Sequence, residues 1–317
     1  PGASLLEGGD GGAFLQFLSK NNSIGPDVLR MMRTSLQHCT EQFDALVIGN
    51  QGKHFCVGAN LMALLFEAQD ENWDDIELMV RAFQDVNMAL KLSEKPVVAA
   101  PFSMTLGGGC EICLHTARIR AAAETYIGLV EVGVGLIPAA GGCKEMLLRS
   151  LEGIPEGAEV DLLPFFRHAF ETIAFAKVST SAKDAQRLGY IRPVERCTMN
   201  QDRLLHEAKQ VALGLVAEGY APPQPRDDIK VLGTRAIAAV DTQLYNMKCG
   251  GYISDHDERI ARKLAHVLAG GDVAPRTMVT EQYLLDLERE AFLSLCGERK
   301  SQERMQHMLK TGKPLRN

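Results

Sequence analysis

Two carboxylates and two glycine loops carry what chemistry this sequence offers. Glu111 stands two residues after the run Gly107-Gly108-Gly109, and Glu131 sits between Val130 and Val132 in the apolar stretch IGLVEVGVGLIP. A charge in apolar surroundings is costly unless it is paired or used. A carboxylate in the first turn of a helix is stabilised by the dipole. Glycines between a strand and a helix free the backbone and let a ligand approach the amides. The first amides of a helix lack internal partners and can donate to an incoming oxygen. A second loop of this kind, GKHFCVGANLMALL at residues 52–65, also follows a strand and precedes an apolar helix. Two such loops can direct two N–H groups at one oxygen. With two carboxylates, that suits a reaction which builds charge on a carbonyl oxygen while protons move nearby. Taken singly, each feature also fits a structural account: a tight turn, a helix-terminal carboxylate, a buried salt bridge.

These residues need a scaffold, and the first half of the chain supplies a β-then-α rhythm. Apolar runs predict strands at residues 12–19, 44–50, 97–102 and 117–123. Gly25-Pro26-Asp27 opens a helix to about Cys39, with Val28, Leu29, Met32 and Leu36 at helical spacing, and a second helix is expected over 74–92. Such alternation implies a layered α/β fold. After Leu151 helical patterns dominate, at 161–176, 181–188, 201–218, 229–246 and 281–295. YAPPQPRDD at 220–228 reads as a linker, because its prolines cannot continue a helix. The tail from Glu298 is charged.

Composition narrows the function classes. The chain has 317 residues, 46% hydrophobic and 23% charged, with a net charge of −6. That acidity argues against a general nucleic-acid binder, and an anionic ligand needs a local basic patch. No apolar run approaches the roughly 18 residues of a membrane helix, and the N-terminus lacks the pattern of a secretory signal. The proline start fits a processed chain or an excised piece of a longer one. Of the eight cysteines only Cys110 and Cys113 form a CxxC, with no second pair to complete a zinc site. Buried reduced thiols and no metal are expected. Residues 107–112 read GGGCEI, so the dinucleotide pattern GxGxxG fails. Ser103 and His115 flank the glycines without an evident third group for a Ser/His hydrolase.

Four segments in order resemble the crotonase family, the enoyl-CoA hydratases and isomerases: KHFCVGANL (53–61), LGGGCE (106–111), VEVGVGLIPAAGG (130–142) and TSAKDAQRLGYI (180–191). The resemblance implies an α/β crotonase (ClpP-like) spiral of ββα units over residues 1–195. A helical region would follow over 196–317, with an insertion at about 221–280 forming two helices broken at Gly250-Gly251. It implies that the amides of Ala59 and Gly108 form an oxyanion hole for a thioester carbonyl. Glu111 and Glu131 match the family's two catalytic glutamates, 20 residues apart as in hydratases. Glu111 would hold water for attack at Cβ and Glu131 would exchange the proton with Cα. Lys53 matches a lysine near the coenzyme A phosphates, and no cofactor is implied beyond the coenzyme A of the substrate.

Some positions depart from the family pattern. Asn60 stands where Asp is frequent, and Val130 replaces the usual proline before the second glutamate. Residues 151–178 are longer than usual, and 221–280 have no counterpart in the short members. The segment from Leu285 to the closing KPLRN again resembles the family's C-terminal helix. This longer form is similar to the C-terminal crotonase domain of bacterial 3-hydroxyacyl-CoA dehydrogenase/enoyl-CoA hydratase fusion proteins. The expected activity is syn hydration of a 2-enoyl-CoA in fatty-acid β-oxidation. The alternatives are a Δ3–Δ2-enoyl-CoA isomerase or a non-catalytic crotonase-fold scaffold. The expected setting is a cytoplasmic homo-oligomer, a trimer or hexamer, with a covalently fused 3-hydroxyacyl-CoA dehydrogenase region as a further expectation and no nucleic-acid or membrane partner.

Overall fold

A computed structural model describes residues 2–155 and 157–317. Pro1, where the expected core begins, and Glu156, inside the long 151–178 segment, lie outside the described residues. In chain order the elements are β1 (Ala3–Glu7), β2 (Gly12–Phe17), α1 (Pro26–Gln42), β3 (Ala45–Ile48), α2 (Leu61–Gln69) and α3 (Trp73–Lys91). There follow β4 (Val97–Ala99), β5 (Ser103–Leu106), α4 (Gly108–Leu114), β6 (Arg118–Ile119) and β7 (Thr125–Gly128). Then come α5 (Gly142–Leu151), α6 (Leu163–Ala174), α7 (Ala182–Leu188) and α8 (Leu204–Ala217). The last are β8 (Ile229–Lys230), α9 (Thr234–Cys249), α10 (Asp255–Leu268), β9 (Met278–Val279), α11 (Glu281–Cys296) and α12 (Arg299–Thr311).

The described chain divides into two compact units built from interleaved segments. The first comprises Pro1–Asn60, Ala82–Leu129 and Val178–Gln224. It holds a five-stranded sheet in the order β1-β2-β3-β4-β6, in which only β1 runs antiparallel to its neighbour. Every residue of β3 and β4 is buried, as expected for parallel strands covered on both faces; α1 and α8 pack against this sheet. Pro26 at the start of α1 and Asp27 in its first turn set that helix's beginning, and Val28, Met32, Ser35, Leu36 and Cys39 bury one stripe.

A repeat of two strands and a helix runs through this sheet. After β3, Cys56 bridges Thr105 of β5, and α2 follows. After β4 comes β5, which pairs in parallel with β7, and then α4. After β6 comes β7, and then the short 3₁₀ turn Glu131–Val134. In the second and third repeats the first strand joins the large sheet and the second joins the small one; in the first, a single bridge at Cys56 takes the place of the second strand, and in the third the 3₁₀ turn takes the place of the helix. This is the ββα spiral expected from the motifs.

The second unit, Leu61–Arg81, Val130–Lys177 and Pro225–Asn317, is mainly helical. In it α5 packs on α6, α10 and α11, α9 packs on α10, and α2 packs on α12. The insertion forms two helices, α9 and α10, separated at Gly250-Gly251 as expected. A capping box starts α10: Ser254 Oγ accepts from the Asp257 amide at 3.1 Å, and the Asp257 carboxylate accepts from the Ser254 amide at 3.0 Å.

Several expectations shift. The helix read over 229–246 begins only at Thr234, because Ile229 and Lys230 pair with β9 as a short strand. Gly233 marks the change: it has φ +52, and a Cβ there would lie 2.0 Å from the Val273 carbonyl oxygen. The strand read over 117–123 shrinks to two residues. Strands β1, β5 and β7 were not legible, being short, part-polar or next to glycines. Among the described residues, no helix is long and apolar enough to cross a membrane.

Candidate active site

The first glycine loop is held between two neighbours. Cys56 N–H donates to Met104 O at 3.2 Å, and Leu106 N–H donates to Cys56 O at 2.9 Å, so Cys56 is locked onto β5. Two residues on, Gly58 takes φ +104 and its carbonyl accepts from Ile24 N–H at 2.9 Å. Asn60 N–H donates to Ile24 O at 3.0 Å. In such a parallel bridge the residues on either side make the bonds, so the N–H and C=O of Ala59 point away from Ile24. Ala59 is exposed.

The second loop abuts the first. A Cβ on Gly58 would stand 3.6 Å from Gly108 N and 3.3 Å from Leu106 O. The amides of Ala59 and Gly108 therefore lie on touching stretches of backbone. Each glycine of the run has its own reason. Gly107 adopts φ 55 and ψ −125 to turn the chain from β5 into α4, and its amide donates to Gly128 O at 2.9 Å. Gly108 faces the Phe83 ring, 2.9 Å from where a Cβ would be. A Cβ on Gly109 would lie 2.6 Å from that of Cys56. As the first residue of α4, Gly108 has no intrahelical acceptor for its amide.

Glu111 is buried in the first turn of α4, at 3% exposure, with its amide donating to Gly107 O at 3.0 Å. His115 Nδ1 lies 2.7 Å from the Glu111 carbonyl oxygen and so must donate to it, which fixes that ring proton. The Ser103 hydroxyl lies 3.0 Å from Nδ1 of His54. The two groups flanking the glycines are thus held by other partners. Ser103 has φ +49, unusual for a residue with a side chain. Burial, and then neighbouring Lys53, pushes the His54 imidazole below its ordinary range. Lys53 itself is exposed.

Glu131 belongs to the second unit and opens the turn Glu131–Val134. The sequence pictured a carboxylate inside a buried apolar run. Residues 130–134 are half-buried taken whole, yet Glu131 Oε2 itself is closed off from solvent, and burial becomes complete from Gly135. Val130, Val132 and Val134 are part-covered in this tight turn. Leu136 N–H closes it onto Glu131 O at 3.0 Å, and Gly135 ends it at φ +84. Downstream, both oxygens of buried Glu288 on α11 accept from backbone amides at the start of α5: Gly141 at 2.8 Å and Lys144 at 2.6 Å. Lys144, fully buried, pairs its ammonium with Glu145 and with Glu281 on α11.

Residues 15–154 match the enoyl-CoA hydratase/isomerase family. The matched stretch holds both glycine loops and both glutamates. It is 51% identical over 316 residues to a probable 3-hydroxyacyl-CoA dehydrogenase of Bacillus subtilis, covering 100% of this chain and 39% of that protein. It is 29% identical over 294 residues to a putative fatty acid oxidation complex trifunctional enzyme of Rickettsia felis, covering 92% of this chain and 37% of the other. The chain thus spans about two fifths of these relatives, the crotonase-like part. The crystal structure of an enoyl-CoA hydratase from Bacillus halodurans superposes with TM-score 0.65 at 17% identity, over 96% of this chain and 99% of that one, which establishes the crotonase fold.

Of the residues singled out in the sequence, the structure groups Lys53, Ala59, Gly108 and Glu111 in the first unit and leaves Glu131 to the second. Sequence reasoning missed Glu288, His54, His256 and Ser301. A usable signal existed only for His256, which lies inside the Ser254–Asp257 capping box. The CxxC thiols are buried as expected, whereas Cys197 and Cys249 are exposed, against the expectation of uniformly buried thiols.

Proposed function

We propose that this chain is an enoyl-CoA hydratase, adding water to the 2,3-double bond of an enoyl-CoA thioester. The carrying observation is the abutment of the Ala59 and Gly108 loops, with Glu111 buried one turn into the helix that the second loop starts. In this reading the two amides receive the thioester oxygen. Attack of water at Cβ drives the π electrons onto that oxygen as an enolate. The amides stabilise the charge as it develops. Glu111 holds the water, and Glu131 exchanges the proton with Cα. Lys53, exposed beside the first loop, is offered to the coenzyme A phosphates. The chemistry needs no cofactor beyond the coenzyme A of the substrate.

The relatives support a setting in which this domain forms part of a longer polypeptide that also carries dehydrogenase activity, acting in fatty-acid β-oxidation. Assembly into a trimer or hexamer belongs to the same proposal. The test is loss of crotonyl-CoA absorbance on mixing with purified protein, beside the gain of that conjugated absorbance from a 3-enoyl-CoA. Hydration faster than double-bond migration supports the reading. Faster migration makes the chain an isomerase. Turnover of neither substrate removes the catalytic claim and leaves a scaffold.

A further inference from the structure

The turn that carries Glu131 is only four residues long. Short 3₁₀ turns have poor hydrogen-bond geometry and little stability of their own, so something else must hold the carboxylate in place. A relay of two side chains from the C-terminal helices ends on this turn. Ser301 Oγ, at the start of α12, donates to the carbonyl of Gly135 at 2.6 Å. Its one proton being used there, it must accept from His256 Nε2, which lies 2.9 Å away on α10. Both side chains are buried, His256 at 3% and Ser301 at 0%.

The relay is itself anchored. His256 stands in the capping box that starts α10, and Arg304 of α12, buried at 2%, reaches Asp257 at 2.8 Å. Gly135 is fitted to Ser301 closely enough that a Cβ on it would lie 2.8 Å from Ser301 Cα. One residue beyond Gly135, Leu136 N–H donates to the carbonyl of Glu131. The bonded path therefore runs from His256 through Ser301 and Gly135 to the backbone of Glu131 itself.

We infer that His256 and Ser301 are positioning residues for Glu131: they lock the turn Glu131–Val134 from its C-terminal end and so set where the carboxylate is delivered. This deepens the hydratase reading and rests on it for the catalytic consequence. It also gives the insertion, which supplies His256, a function within the reaction.

The test uses the full chain and three variants. In Ser301→Ala the donor to Gly135 is gone. In His256→Leu the donor to Ser301 is gone, whereas His256→Gln retains an N–H near the place of Nε2. A displaced carboxylate costs turnover more than binding, and misplacement of about 1 Å is worth on the order of 10²-fold. We expect Ser301→Ala and His256→Leu to lower kcat for crotonyl-CoA by about 10- to 10²-fold with KM nearly unchanged, and His256→Gln to recover most of it. Hydrogen exchange, read on the same proteins, reports the turn without reference to activity. The Leu136 amide should exchange about five-fold faster in Ser301→Ala, as expected for loss of one hydrogen bond. Unchanged kcat together with a lowered melting temperature would mean a merely structural role and overturn the inference. Unchanged exchange at Leu136 would overturn it as well. Should the parent protein hydrate nothing, the reaction reading falls, and the exchange measurement alone decides whether the relay holds the turn.

Discussion

Replacing Gly109 by alanine tests whether the two amide-bearing loops owe their abutment to the missing side chain. Gly109 has ordinary helical geometry within α4, so local propensity favours alanine there by up to about 1 kcal/mol. Sterics oppose it. The new Cβ would lie 2.6 Å from Cys56 Cβ, 2.9 Å from its Sγ and 3.0 Å from its carbonyl oxygen. Ordinary contact begins at 3.4 Å, so Cys56 must retreat by 3.4 − 2.6 = 0.8 Å. It cannot do so freely, because its amide and carbonyl are both bonded to β5, the strand that leads into α4. Overpacking of this kind costs about 1–3 kcal/mol. It outweighs the propensity gain and leaves a net loss of up to about 2 kcal/mol.

The larger effect should be on turnover. Cys56 precedes Ala59 by three residues, and under the proposed hydratase reading a shift of this size spoils the pairing of the two amides. Loss of one oxyanion donor costs about 10²- to 10³-fold in kcat. We therefore expect Gly109→Ala to reduce kcat for crotonyl-CoA by about 10²-fold, with urea unfolding moved only modestly. The double variant Cys56→Gly with Gly109→Ala removes the two shortest clashes. It should be more active than Gly109→Ala alone, a non-additivity expected of contacting residues. Parental turnover in Gly109→Ala would refute the steric account. Failure of the double variant to recover would show that the clash with Cys56 is not the cause.

Three further outcomes follow. Glu111→Gln and Glu131→Gln should each lower crotonyl-CoA hydration by about 10²- to 10⁴-fold, and near-parental activity in Glu111→Gln would rule out the two-glutamate mechanism. Glu288→Gln replaces one accepting oxygen by an NH₂ group facing a backbone N–H, which should cost about 1–3 kcal/mol in urea denaturation; an unmoved midpoint would refute the capping role. A thiol reagent at neutral pH should label Cys197 and Cys249 rapidly in the native protein. Cys39, whose thiol burial pushes up to about 11, and Cys56 and Cys296, pushed up to about 12, should react only on unfolding; rapid labelling of more than two thiols would contradict the burial found here.

What the sequence made legible was local. Strand β3 is an unbroken apolar run, α1 shows its buried stripe at helical spacing, and α9 and α10 separate at a glycine pair. Each of these signals is generated within one element, where side-chain period and turn residues act directly. The glycine loops were legible for the same reason, because strand, glycines and helix are adjacent in the chain. β5 and β7 escaped notice because a strand of four residues carries too few alternations to register, and Ser103 enters β5 with φ +49 where glycine would signal a turn.

The setting of Glu131 was legible only in part: its Oε2 is shut from solvent as the apolar run suggests, although the residue as a whole is half-buried. Its neighbours are apolar, yet local hydrophobicity says nothing of which face a turn presents once Gly133 and Gly135 bend it. Nor does a turn of four residues secure its own conformation, since few bonds are gained for each dihedral fixed. The fixing comes from Ser301, 166 residues beyond Gly135, while Glu288 fixes the start of α5 from 147 residues beyond Gly141. Neither residue belongs to a motif. Ser301 lies in a tail that reads as plain charged surface, and Glu288 is one of many glutamates on helices. Their roles arise only when α11 and α12 fold back onto the segment after β7. A carboxylate that must be placed to within about 0.5 Å needs support of this kind. The glutamates could therefore be put forward from the sequence as candidates, whereas the groups that hold Glu131 could be found only in the folded chain.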